Sequence, residues 1–155
     1  MTPLVRRFLK TAIVFLGAGL VLGLVLSAAL HFELFTAPYP MRVAHVHLIL
    51  VGFVMMMIMG VALWMFPRPA RADARYRPER MQLVWWVMTC AVSVRTASEL
   101  ASGGSAAAAL HVTAFVASAA EAFGIGLFFL NLWSRIRSPR EAYEKERLAG
   151  TVEPE

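Results

Sequence analysis

The twenty residues from Thr11 to Leu30 carry no charge, and no soluble fold easily buries an apolar run of that length. A span of the bilayer core needs about 20 apolar residues. The chain offers four such stretches within 155 residues: roughly 11–30, 43–66, 81–100 and 106–133. The expected fold is therefore all-α, a bundle of four transmembrane helices over residues 1–137 with a polar tail at 138–155. The third stretch is the least apolar, because Arg95 and Glu99 fall in its final third. The basic start and apolar first run resemble a secretory leader, and "SAALHFEL" holds small residues near its end. The run exceeds a leader's apolar core, so it is read as a retained helix.

Charge gives the orientation. Thirteen of the fifteen Lys and Arg residues lie before the first run, between the second and third, or after the fourth. Only Arg42 and Arg95 fall elsewhere. The positive-inside rule then places both termini in the cytoplasm of a bacterial-type inner membrane. The same segregation accounts for the net charge of +5 without nucleic acid as a partner. Cys90 is the single cysteine and lies within an apolar run, so neither an internal disulfide nor a Cys-x-x-Cys-His haem attachment is available.

On this topology the histidines share a depth. His45 and His47 lie one or two turns below the outer surface on the second helix. His111 lies at a similar level on the fourth, about 8 Å in at 1.5 Å per residue. Arg95 and Glu99 belong to the same layer, Arg42 sits just above it, and His31 marks the outer boundary of the first helix. Ionisable groups inside a membrane point to function by default. Neutral imidazole is a standard haem-iron ligand, and arginines at this depth suit the haem propionates. His45 and His47 are the candidate axial ligands of a b-type haem, His111 is an alternative ligand, and Arg42 and Arg95 are candidate propionate partners. Residues two apart differ by about 200° around a helix, so His45 and His47 face different neighbours. The competing expectation is that these histidines only hydrogen-bond at the interface, which is the one adopted for His31.

Other features carry less. Met55, Met56, Met57 and Met59 could bind copper(I), but a consecutive run spreads around the helix and fits packing better. Gly19 and Gly23 form a GxxxG that lets helices approach closely. Gly52, nearly in line with His45, gives clearance to a macrocycle or to another helix. Glu121, in mid-membrane, could carry a proton or hold one in a hydrogen bond.

The stretch "VAHVHLILVG" resembles the His-x-His segment in the tenth helix of haem–copper oxidase subunit I, where the two histidines bind different haems on opposite faces. The wider "RVAHVHLILVGFVMMMIMGVALWMFPR" resembles the second helix of that family and of nitric oxide reductases, which opens with a low-spin haem histidine. The family fold is a pseudo-threefold ring of three four-helix arcs, and this chain resembles one arc. It has no adjacent His-His pair for copper and no helix with the family's histidine and cross-linked tyrosine. The resemblance implies a homotrimer imitating the twelve-helix ring, with His45 of one subunit facing His47 of its neighbour across a haem. A haem held within one chain, between His45 or His47 and His111, is equally open on depth. The expected role is electron transfer or the binding of a diatomic gas such as nitric oxide or oxygen, with no catalytic residue assigned. A non-catalytic assembly subunit and a copper-binding membrane protein are the alternatives.

Overall fold

The computed structural model describes residues 2–66, 78–103, 107–133 and 135–136. The polar tail at 138–155, and Arg68, Arg71, Arg75 and Arg77 of the basic connection, lie outside the described residues. Within them there are four long helices and no strand.

Helix α1 spans Pro3–His31. It begins before its apolar run because its first turn is well capped. The Thr2 side chain accepts a hydrogen bond from the Val5 amide at 3.4 Å, and Pro3 needs no amide partner at a helix start. Arg6, Arg7 and Lys10 thus lie in the first turns, where long cationic stems can reach toward a membrane surface. At the far end His31 is exposed and donates from Nδ1 to the Ser27 carbonyl at 2.9 Å.

Helix α2 runs Tyr39–Met65, and its middle, Leu48–Met55, widens into a π-helix. It stops where Phe66 turns extended, as a residue before proline tends to. Helix α3 covers Pro78–Ser102, with Pro78 opening it and Glu79 in its positive first turn. The chain leaves α3 at Gly103, whose φ of +45° is costly for other residues. Helix α4 is Ala108–Trp133. Among the described residues three helices, α1, α2 and α4, are long and apolar enough to cross a membrane. Helix α3 has the length, but its charged residues lower its hydropathy.

Neighbours follow chain order. α1 lies along α2, the first half of α2 packs on α3, and α3 pairs with α4 along its length. One end of the molecule, the terminal end, carries the start of α1, the end of α2, the start of α3 and the end of α4; the other, the loop end, carries the opposite ends of the same helices. The largest fully buried side chains gather toward the terminal end: Phe8 of α1, Met56 and Met59 of α2, Met81 and Met88 of α3, and Phe128 of α4. The methionine run is thus largely core, with Met55 and Met57 packed against its edge. Glycines bring the helices close: a Cβ on Gly60 would lie 2.9 Å from Leu9 Cδ2, and one on Gly124 would lie 2.8 Å from Met88 Sδ.

Polar contacts tie the same end. The Trp85 indole donates to Thr11 Oγ1 at 3.2 Å, and the Arg7 guanidinium lies 5.7 Å from the Trp85 ring centre. Buried Arg135, just beyond α4, donates to the Leu63 and Phe66 carbonyls at the end of α2. A cation there satisfies carbonyls that the helix leaves without partners.

Candidate functional site

The loop end is more open, and it holds the candidate site. His45 is half-buried and turned onto α1. Its Nδ1 lies 2.9 Å from the Gly19 carbonyl oxygen. A carbonyl only accepts, so Nδ1 carries a proton, and in the neutral ring the lone pair is on Nε2. The ring rests where Gly23 has no side chain: a Cβ there would come within 2.8 Å of His45 Cε1 and 3.5 Å of Nε2. Both glycines of the GxxxG therefore seat His45, one through its backbone and one through its lack of a Cβ. Gly19 also admits Ile49, whose Cδ1 would lie 2.6 Å from an added Cβ. Gly52 faces Phe15 of α1, so its clearance serves a helix–helix contact.

His47 is also half-buried, and its Nδ1 lies 3.0 Å from the Val43 carbonyl of its own helix. The same argument places a proton on Nδ1, so in the neutral ring the lone pair is on Nε2. His47 lies within electrostatic reach of Glu121 on α4, while His45 touches α1. The two rings thus serve different sides of α2. Immediately after His47 the backbone enters the π-helix, a widening common at functional sites. His111 is exposed on α4, and α3 pairs with that helix along its length. Arg42 is exposed and lines a cleft of about 760 Å³ between the end of α1 and the start of α2, together with Glu33, Leu26, Leu30 and Phe35.

Arg95 is committed elsewhere. Its Nε donates to Glu99 Oε1 at 3.0 Å, one turn along α3, and its Nη1 donates to Glu121 Oε2 at 3.2 Å, across to α4. Glu99 and Glu121 are buried. The i,i+4 spacing exposes the first pair in the sequence; the second depends on the register between α3 and α4. Among the described residues, no group of three or more His, Cys, Asp or Glu side chains is placed to hold a bare metal ion.

Residues 3–142 match the family model described as Cytochrome C and Quinol oxidase polypeptide I. The chain belongs to that family. No curated protein and no solved structure matches it. It is thus a multi-pass membrane protein of the haem–copper oxidase subunit I type, with four long helices among its described residues.

Members of this family hold haem with histidine. The chemistry of this chain's donors fits that group: two imidazoles with anchored Nδ1 atoms each present a basic Nε2, and an anchored second nitrogen is the usual partner of a metal-bound histidine. Sequence reasoning placed the GxxxG and the histidines separately and missed that Gly19 and Gly23 are the seat of His45. Depth could have linked them, since His45 enters α2 about as far from the loop end as Gly23 lies from the end of α1.

Proposed function

We propose that the chain is one arc of a homotrimeric ring in a bacterial-type inner membrane, with both termini cytoplasmic. The ring carries b-type haem between His45 of one subunit and His47 of the next. The observation that carries this reading is the pair of fixed tautomers: each Nδ1 is occupied by a backbone carbonyl, so each Nε2 is available to iron, on different sides of α2. Haem held by both histidines would supply reversible one-electron chemistry, and with both imidazoles engaged electron transfer would be favoured over gas binding. Loss of one axial histidine would open a position to nitric oxide or oxygen.

The placement of α3 beside α4 supports a ligand from a neighbouring subunit over His111 of the same chain. Arg42 is the better propionate partner, being exposed beside a cleft, because Arg95 already holds two carboxylates. Copper is less favoured, because Met56 and Met59 are consumed in packing.

The test is a reduced-minus-oxidised spectrum of the purified protein expressed with haem supplied, with haem counted per chain and mass measured by light scattering. One haem per chain in a trimer is expected, and His45→Ala and His47→Ala should each lose most of it. A haem-loaded monomer would overturn the ring. A colourless protein would favour the non-catalytic assembly subunit.

A further inference from the structure

The Arg95, Glu99 and Glu121 cluster has more negative charge than its one cation can match. Glu99 and Glu121 are 8% and 4% exposed, and each spends one oxygen on Arg95. Their other oxygens, Glu99 Oε2 and Glu121 Oε1, are buried without a hydrogen-bond partner, as is Thr96 Oγ1 in the same stretch of α3. Glu121 lies about 20 Å along α4 at 1.5 Å per residue, near the middle of a bilayer core about 30 Å thick.

Among the described residues no second cation forms an ion pair with either carboxylate. From α2 the facing titratable group is His47, whose Nδ1 donates to the Val43 carbonyl and which makes no ion pair with either carboxylate. From α1 none reaches this level: Arg6, Arg7 and Lys10 lie at the terminal end, and His31 is exposed at the other. On α4, His111 is exposed nearer the loop end. With both carboxylates ionised, the cluster carries a net charge of −1 in a medium that strongly disfavours unpaired charge. One proton makes it neutral and turns an orphaned acceptor oxygen into a donor.

We propose that Arg95, Glu99 and Glu121 form an intramembrane proton-binding site that holds one exchangeable proton on its two carboxylates. Glu121, the deeper of the two, carries the proton at rest. Glu99 lies one turn from the end of α3 and is the group through which the proton exchanges with water at the loop end. This proposal goes beyond haem binding and needs no haem to be tested.

The experiment is infrared spectroscopy of the full-length protein in lipid, titrated with pH in sodium-free buffer and repeated with sodium. Ordinary glutamate ionises near pH ~4.3, and the other described glutamates, Glu33 and Glu79, are exposed. A protonated-carboxyl stretch should persist at neutral pH, shift in deuterium oxide and move when glutamate is carboxyl-labelled with carbon-13. Glu99→Gln and Glu121→Gln each leave one carboxylate paired with Arg95, so each should abolish the neutral-pH band. Arg95→Gln should increase it about twofold, because both carboxyls then need protons. The two glutamine variants leave the cluster neutral; should either fail to fold, the labelled wild-type protein still reports the band. Absence of the band at neutral pH, its survival in both variants, or its loss on adding sodium would each overturn the proposal, the last by making the occupant a metal cation.

Discussion

Gly23→Ala tests the seat of His45 with one methyl group. An added Cβ would lie 2.8 Å from His45 Cε1, while ordinary contact begins at 3.4 Å. The ring must withdraw by about 0.6 Å to relieve the overlap. If it moves along its bond to α1, the 2.9 Å contact between Nδ1 and the Gly19 carbonyl stretches to about 3.5 Å, the edge of hydrogen bonding. The net loss is about 1 kcal/mol for the hydrogen bond. Ring orientation is lost with it, and removing such an anchor from a metal-bound histidine typically lowers affinity about 10–100-fold. The assay is haem titration of the protein purified without haem, followed by absorbance, with helical content checked by circular dichroism. Gly17→Ala is the internal control, because nothing lies within 4 Å of a Cβ at that position on the same helix. Weaker binding in Gly23→Ala beside unchanged binding in Gly17→Ala is the expected result. Equal haem affinity in the two variants would refute the role assigned to the Gly23 surface.

Two further predictions concern the terminal end. Arg135→Ala should destabilise the fold by about 1–3 kcal/mol, because it strips buried donors from the Leu63 and Phe66 carbonyls; detergent-unfolding curves that match the wild type would contradict this. Gly124→Ala should lower the melting temperature through its 2.8 Å approach to Met88 Sδ, whereas Gly126→Ala, with open space around it, should not.

The membrane class and the four helices were legible because they depend on composition over twenty-residue windows, which a chain cannot hide. Helix starts were less so. Thr2 and Pro3 cap α1 well ahead of its apolar run, and the cations between disguised that signal. The π-helix was not legible at all: Leu48–Met55 is apolar at every position, so no polar residue marks a change from i→i+4 to i→i+5 pairing. The candidate histidines were visible as costly residues at a common depth. Their partners were not, because Gly19 and His45 meet only through the register between α1 and α2. Arg95 illustrates the same limit. Its pairing with Glu99 is written in local spacing, but Glu121 is twenty-six positions away and joins only through the packing of α3 on α4.

The uneven distribution of packing connects the fold to the proposed assembly. At the terminal end, large side chains from all four helices interlock and Arg135 ties the end of α2 to α4. At the loop end the helices touch through small residues: Gly19 and Gly23 on α1, Ala44 on α2, and Ala117 on α4. Small residues allow close backbone approach, but they bury little area, so this half is held more by specific contacts than by bulk. Two such contacts are the His45 bond to Gly19 and the Arg95 bridge to Glu121, and both place polar groups where lipid penalises them. A chain that needed only to span a bilayer would gain from apolar residues at both places. Their cost is explicable if each contact holds a chemical group in position: His45 a basic nitrogen for iron beside α1, and Arg95 two carboxylates for a proton. On the proposed ring, the loosely packed half is also the half a neighbouring subunit would complete, while the tightly packed end keeps each arc folded before assembly.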